Sequence, residues 1–211
     1  MEKKGENEMR VRWITIAAAG LGVWVAPAVT MGNISLSFEP NSQVIGLGGL
    51  AEVGIRISGL GSSSAPSLGA FDLDVSFDSS ILSFNSLTFG DPVLGDQLDL
   101  FGLGTFSGFD GSVPGLVDLF EVSFDSAADL DSLQADSFIL AILTFTGIGL
   151  GISDLLLSLD PPNALGDSVG SPLSATLENG RISVVPVPAP ILLGALGLGL
   201  VGWMRRRTPR P

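Results

Sequence analysis

Alternation of apolar and polar residues is the feature that most constrains how this chain folds. Phe71, Leu73, Val75 and Phe77 alternate with acidic or small residues in the run AFDLDVSFD. A period of two places successive side chains on opposite faces of a β-strand, so the run predicts a strand with one buried and one solvated face. An amphipathic helix is excluded here, because helical faces repeat every 3.6 residues.

Eight further segments show the same alternation or are rich in β-branched and aromatic residues. They are residues 34–39, 53–58, 82–89, 116–124, 138–146, 155–159, 173–177 and 181–185. About nine strands with little helix predict an all-β fold, an antiparallel two-sheet jelly-roll sandwich.

The apolar phase slips within two of these segments. Phe84 and Leu87 cannot share a face in a regular strand, and neither can Leu119 and Phe120. A β-bulge accounts for such a slip, because one extra residue shifts the alternation by one position. The sequence therefore predicts a bulge at both places.

Two short motifs predict the connections. Asn179-Gly180 lies between Leu177 and Ile182, and this dipeptide is typical of a tight β-hairpin turn. Ser126 and Asp129 have the spacing of a capping box, which predicts a short helical turn at residues 126–130.

Charge is distributed unevenly along the chain. Of ten basic residues, four precede Trp13 and four follow Met204, so only Arg56 and Arg181 stand against nineteen carboxylates in residues 29–185. The formal charge of that region is −17. Such a domain repels phosphates, so we expect neither nucleic acid nor an anionic membrane surface to bind its folded part.

The residue types that are missing argue against an enzyme. The chain has no His, Cys or Tyr, and residues 29–185 contain no Lys, so most pairs of nucleophile and base are unavailable. Glycosidases work with carboxylates alone. The glutamates at 39, 52, 121 and 178 fall at outward positions of predicted strands, however, and nothing indicates that two of them converge. We predict no catalysis.

The N-terminal segment has the order of a secretory signal. Four basic residues precede an apolar run at residues 13–25, and Ala26 and Ala28 then supply the A-x-A spacing that signal peptidase accepts. Residues 1–28 are therefore predicted to be a signal peptide cleaved after Ala28. The alternative is an uncleaved membrane anchor, although the run is shorter than the ~20 residues of a bilayer span.

The C-terminal segment has three parts. A proline motif is followed by an apolar, glycine-containing run at residues 191–204, and then by three arginines. The arginines are Arg205, Arg206 and Arg207. Arginines remain on the cytoplasmic side of a membrane, so the pattern predicts one helix that holds an acidic domain outside the cell.

This tail resembles the PEP-CTERM sorting signals of bacteria, which an exosortase cleaves near the proline motif. The motif here is Val185, Pro186, Val187, Pro188 and Ala189, which is similar to the VPLPA-type variant. The resemblance implies that residues 186–211 are a sorting signal and that an exosortase-type enzyme processes the chain. The alternative is a permanent single-pass anchor.

The middle of the chain resembles a second family, the cohesins. The resemblance is carried by LGAFDLDVSFDSSILSFNSLTFG, by FILAILTF and by the closing ENGRISV, which follow one another in the order of the cohesin strands. It covers nearly all of residues 34–185, within a cohesin-like domain expected at residues 29–185, and implies a nine-stranded jelly roll related to dockerin-binding modules and to some carbohydrate-binding modules. No binding residue is carried over.

Residues 89–115 form a glycine-rich stretch with four phenylalanines, Phe89, Phe101, Phe106 and Phe109. Long loops of this composition are often functional. In one interpretation the stretch contains an irregular edge strand near residues 97–101 and its rings complete the core. In the other, exposed rings form a patch that binds a sugar or a partner protein.

Calcium is the metal that this composition permits, because it prefers oxygen ligands. Two groups of aspartates are candidates: Asp96 with Asp99, and Asp125 with Asp129 and Asp131. Neither group has EF-hand spacing, and Asp129 already has a capping role. Solvated surface charge is the simpler interpretation, and no cofactor is predicted.

Together these features predict a non-catalytic, exported binding module at the cell envelope, released to the extracellular matrix if the tail is cleaved. Its expected partners are the processing enzyme, the membrane through the C-terminal helix, and a surface polysaccharide or a protein. The alternatives are an acidic matrix protein that associates through calcium and a glycan-binding module.

Overall fold

The computed structural model describes residues 33–159, 161 and 164–187. The predicted signal peptide, with Ala26 and Ala28, lies outside the described residues. So do Pro188, Ala189, Arg205, Arg206 and Arg207 of the predicted sorting signal.

Twelve strands and one short helix form the described domain. The strands are β1 (Ile34–Glu39), β2 (Ser42–Gly46), β3 (Leu50–Ser58), β4 (Leu68–Ser76), β5 (Leu82–Phe89), β6 (Thr105–Asp110), β7 (Leu116–Ser123), β8 (Ser137–Gly147), β9 (Gly151–Leu159), β10 (Leu165–Asp167), β11 (Ala175–Glu178) and β12 (Gly180–Val185). All nine predicted strands are present; β2, β6 and β10 were not predicted.

The strands form two sheets, which confirms the predicted sandwich. The five-stranded sheet has the order β11-β1-β3-β8-β5. The seven-stranded sheet has the order β2-β12-β9-β4-β7-β6, with β10 paired to β4. The core lies between the sheets, where Phe71, Phe138 and Phe145 are among the largest fully buried side chains.

The prediction of purely antiparallel pairing is wrong, because both sheets are mixed. β1 pairs in parallel with β11, and β12 pairs in parallel with β2. The cause is that two runs of chain each leave the five-stranded sheet and enter the seven-stranded one, the first between β1 and β2 and the second between β11 and β12. The two runs point the same way and cross side by side, so they pair in parallel in each sheet.

The predicted hairpin at Asn179-Gly180 is therefore also wrong. This dipeptide is the corner at which the second run changes sheets, and the Arg181 N–H donates to the Asn41 carbonyl of the first corner at 2.9 Å. A Cβ at position 180 would lie 3.0 Å from Phe38 Cβ and 3.1 Å from that carbonyl oxygen. The glycine is required by this close approach of two corners, not by a tight turn.

One of the two predicted bulges is confirmed. The register of β5 against β8 shifts between Phe84 and Ser86. At Leu119 and Phe120, in contrast, β7 pairs with β4 in an unbroken register. The apparent slip arises because Phe120 is an apolar residue on the outer face, where its ring packs 5.3 Å from that of Phe106.

The predicted helical turn is confirmed as α1 (Ala127–Leu133). Ser126 is its N-cap, and its side-chain oxygen accepts a hydrogen bond from the Asp129 N–H at 3.2 Å. Leu130 is the buried residue that fixes the helix to the sandwich.

Candidate functional site

The outer face of the seven-stranded sheet carries exposed apolar side chains, which is unusual for the solvent side of a sandwich. Six of the exposed large apolar residues lie on strands of this sheet at outward positions. They are Val44, Phe106, Val122, Ile152, Leu156 and Val185. Phe106 is 62% exposed and stands opposite Val122, beside the Phe120 ring. The adjacent side chains of Phe106, Phe120 and Val122 form an apolar patch on this face, and such a patch marks an interaction site.

A row of carboxylates crosses the same face. Asp74 of β4 stands opposite Asp118 of β7, and Asp118 stands opposite Asp110 of the edge strand β6. Directly opposed like charges destabilise a sheet. Asp110 is held in its charged form, because the Ser112 N–H and hydroxyl lower the pKa of its carboxyl group. The row therefore concentrates negative charge on this face of the domain.

We call this combined surface the acidic–aromatic face and define it by Asp74, Asp110, Asp118, Phe106, Phe120 and Val122. Asp72 lies on it as well, opposite Phe120. The sequence predicted that Asp72 and Asp74 face outward, but the row became visible only once the strand register brought β4, β7 and β6 together.

The outer face of the five-stranded sheet is different. Its outward positions are mostly serine and threonine, as at Ser35, Ser37, Ser86, Thr144 and Thr146. Among the described strands of this sheet, Leu50, at the start of β3, is the one exposed large apolar residue. Arg56 forms an ion pair with Glu39 on this face. The two faces therefore offer different chemistry, and the acidic–aromatic face is the candidate for binding.

The glycine-rich stretch at residues 89–115 combines both sequence interpretations. Phe89 packs against the core residue Phe71, with 6.4 Å between the ring centroids. Phe101, Phe106 and Phe109 are exposed. An edge strand is present, but it is β6 and not residues 97–101 as predicted.

A buried carboxyl group lies behind this stretch. Glu121 is 1% exposed and points inward from β7, so the prediction that it faces outward is wrong. Its Oε1 accepts a hydrogen bond from the Thr105 hydroxyl at 2.8 Å, and its Oε2 has no donor partner. Burial raises the pKa of Glu121 to about 8; the Thr105 hydroxyl lowers it, and the carboxylates of Asp96 and Asp99 raise it. Glu121 therefore carries a proton at neutral pH.

The aspartates that were candidates for calcium have separate structural roles. Asp96 and Asp99 accept backbone N–H groups of Leu98 and Gly104 within their own loop, each at 2.9 Å. Asp125 accepts the Leu100 N–H at 2.6 Å, Asp129 belongs to the helix cap, and Asp131 accepts the hydroxyls of Ser67 and Ser168. Within the described ranges, no group of three or more His, Cys, Asp or Glu is arranged to hold a metal ion.

The other three glutamates considered for catalysis are exposed, as predicted, and lie on β1, β3 and β11 of the five-stranded sheet. Two clefts within the described residues are open and shallow, and they measure about 230 and 290 Å³. Sites for small molecules usually occupy roughly 300–1,000 Å³. A broad surface fits the domain better than a pocket.

The start of the predicted sorting motif lies at the end of the described domain. Val185 ends β12, and Pro186 and Val187 follow it with exposed side chains. No helix in the described part of the chain has the length and apolar character needed to cross a membrane.

Comparison with known proteins identifies the fold. No protein-family model matches the chain. No curated protein matches it either. Solved structures do match: the sixth cohesin of scaffoldin B from Acetivibrio cellulolyticus, in complex with a dockerin, has 17% identity and a TM-score of 0.55 over 72% of this chain and 99% of that chain. The domain has a cohesin fold.

Two further cohesins show the same likeness. The seventh ScaB type I cohesin from Pseudobacteroides cellulosolvens has 17% identity and a TM-score of 0.55, over 74% of this chain and 94% of that chain. CaCohA2 from Clostridium acetobutylicum has 21% identity and a TM-score of 0.54, over 73% of this chain and 92% of that chain. The likeness spans nearly the whole length of each cohesin.

Proposed function

We propose that this chain is a non-catalytic, exported binding module whose cohesin-like domain recognises a protein partner through the acidic–aromatic face. The observation that carries this proposal is the row of opposed carboxylates at Asp74, Asp118 and Asp110, flanked by the exposed ring of Phe106. A row of like charges is relieved when a partner supplies cations, and the neighbouring rings supply apolar contact area.

The partner therefore carries lysine or arginine side chains around an apolar centre. The electrostatic attraction accelerates association and selects against acidic proteins. Dockerins are the first class to test, because the cohesin of A. cellulolyticus was solved in complex with one. The apolar rings contribute most of the affinity, since aromatic side chains are enriched among the residues that dominate binding.

Delivery to the cell envelope is the second part of the proposal. The N-terminal segment and the proline, apolar and arginine parts of the tail support it. The exposed position of residues 185–187 also supports it, since a processing enzyme needs access to the motif. An exosortase-type enzyme would cut there and leave the cohesin-like domain at the surface or in the matrix.

Calorimetric titration with a purified dockerin tests the first part. We expect saturable binding by the full chain. Phe106→Asp should weaken it by about tenfold or more, because it removes an aromatic contact and adds a carboxylate to an acidic face.

Thr144→Asp is the matched control, because it adds the same charge to the outer face of the five-stranded sheet. Equal weakening by both variants would reject the assignment of the face. No binding by the wild-type chain would reject dockerins as the partner class. Melting curves confirm that each variant is folded.

A further inference from the structure

The end of the sandwich at which the chain leaves the domain is apolar. Eight exposed large apolar residues lie at this end. They are located near the ends of β2 and β12, near the starts of β3 and β9, and in the connections beside these strands. They are Val44, Leu47, Leu50, Ile148, Leu150, Ile152, Val185 and Val187. We call this surface the exit tip.

Hydrogen bonds join its three segments into one surface. The Leu47 N–H donates to the Val185 carbonyl at 2.9 Å, and the Gly48 N–H donates to the Gly147 carbonyl at 2.8 Å. Val187 lies against this surface, because a Cβ at Gly46 would be 3.5 Å from its Cγ2 atom. The exit tip is therefore held together by the fold and is not a set of unrelated loops.

The exit tip is also free of charge in a domain that is otherwise strongly acidic. Residues 40–51 and 137–153 contain no charged side chain, and none occurs from residue 182 to residue 204. Single exposed apolar residues are ordinary on a protein surface. Three adjacent segments without a single carboxylate are unusual in a domain that has nineteen carboxylates in residues 29–185.

The chain that follows indicates what covers this surface. After Val187 come three residues and then the apolar run at 191–204, which ends in Arg205, Arg206 and Arg207. A domain tethered by so short a connection stays close to whatever the apolar run enters. Apolar side chains without nearby carboxylates are suited to the boundary between lipid headgroups and acyl chains.

We infer that the exit tip rests on the lipid surface of the membrane into which the C-terminal apolar run inserts. This inference depends on the membrane attachment in the proposed function and adds an orientation to it. The acidic–aromatic face then stands upright beside the membrane, where a partner from outside can reach it.

A charged loop beside the exit tip limits how the tip can lie on the membrane. The loop at residues 78–81 borders the exit tip, since the Ile148 N–H donates to the Ile81 carbonyl at 2.8 Å. Asp78 in this loop is charged, because the Ser80 side chain and N–H lower the pKa of its carboxyl group. Charged groups remain in water, so we expect the domain to tilt on the membrane and keep Asp78 out of the lipid. Leu47 and Leu150 then lie deeper in the lipid than Val113, which is on the far side of the loop at residues 78–81.

Site-specific labelling tests this orientation, and the absence of cysteine from the chain makes it direct. The variants are Leu47→Cys and Leu150→Cys at the tip, Val113→Cys beyond the loop, Val169→Cys at the opposite end of the sandwich, and Leu198→Cys in the apolar run. Each full chain carries a polarity-sensitive fluorophore and is reconstituted in phosphatidylcholine vesicles with or without brominated acyl chains.

We expect blue-shifted emission and bromolipid quenching for the labels at 198, 47 and 150, weaker quenching at 113 and none at 169. Quenching at 198 without quenching at 47 and 150 would overturn the orientation and leave the attachment intact. No quenching at 198 would instead reject the attachment in the proposed function. Tip labels that are shielded from aqueous iodide but not quenched by bromolipid would show that a second copy of the chain covers the tip, and would also overturn the inference.

Discussion

At the scale of single residues, Glu121 is the side chain that departs most from what its sequence position suggests. Glutamate is almost never fully buried unless it is paired. Glu121 keeps its proton, so a neutral carboxyl group is buried in place of a charged one. The neutral group can lie beside Asp96 behind the glycine-rich stretch. Its hydrogen bond with the Thr105 hydroxyl links β7 to the first residue of β6.

This burial makes stability depend on pH. The pKa of an ordinary glutamate is about 4.5, so below that pH Glu121 is protonated in both the folded and the unfolded chain. Above it the unfolded chain releases the proton, while the folded chain holds the proton up to about pH 8. Stability therefore falls as the pH rises through this window. Glu121→Gln keeps a neutral side chain at every pH. We expect it to leave the melting temperature nearly unchanged at pH 4 and to raise it at pH 8.

The matched control is Glu52→Gln, an exposed glutamate on β3, for which we expect no gain that grows with pH. Melting curves of both variants and the wild type between pH 4 and pH 9 supply the measurement. A Glu121→Gln effect of the same size at both ends of this range would show that the residue is not protonated in the folded domain.

At the scale of strands, the opposed carboxylates on β4, β7 and β6 place stability and binding in conflict. Asp118 is the middle member of the row, with Asp74 on one side and Asp110 on the other. Removing its charge relieves the repulsion with Asp110 across the β6–β7 pair. Asp118→Asn should therefore stabilise the domain by about 0.2–1 kcal/mol and weaken the binding of a basic partner.

Urea unfolding measures the first effect, and titration with the partner measures the second. Asp154→Asn serves as the control, because Asp154 lies on the same face but stands opposite Arg181. It should not stabilise the domain. A loss of stability in Asp118→Asn would mean that the carboxylate has a structural role in place of the binding role assigned here.

The strands also show where sequence patterns succeed and fail. Alternation identified β4 correctly, because Phe71, Leu73 and Val75 all face the core. It missed β6, since that edge strand has Gly108 at an outward position, where a Cβ would lie 3.1 Å from the Phe120 ring. Because the Phe120 ring leaves no room for a side chain at position 108, the glycine there interrupts the alternation of apolar and polar residues.

Sequence patterns also fail to predict which strands pair with each other. Leu177 and Ile182 flank Asn179-Gly180 as a hairpin would require, yet β11 and β12 lie in different sheets. Local sequence describes the bend, whereas the neighbours of each strand depend on residues far away along the chain. The acidic–aromatic face was missed for the same reason, because Asp74, Asp110 and Asp118 come from three separate strands.

At the scale of the whole molecule, the proposed function joins a cohesin fold to export and sorting segments at the two ends of the chain. The proposed sorting signal predicts a definite product. Mature chain from the native host should begin after Ala28, and the fraction found outside the membrane should end near Pro188. Intact-mass measurement of membrane and secreted fractions checks both ends. A mass that includes Arg205 to Arg207, found in membranes only, would indicate a permanent anchor and exclude sorting.

Recognition of a protein partner by the acidic–aromatic face is the central claim, and photo-crosslinking tests it most directly. The full chain, purified with p-benzoylphenylalanine at Phe106 or, as a control, at Thr144, is irradiated in the extracellular fraction of the native host. We predict a discrete protein adduct at position 106, with a basic partner module identified by mass spectrometry, and none at position 144. Adducts of equal yield at both positions, or none at position 106, would contradict the claim.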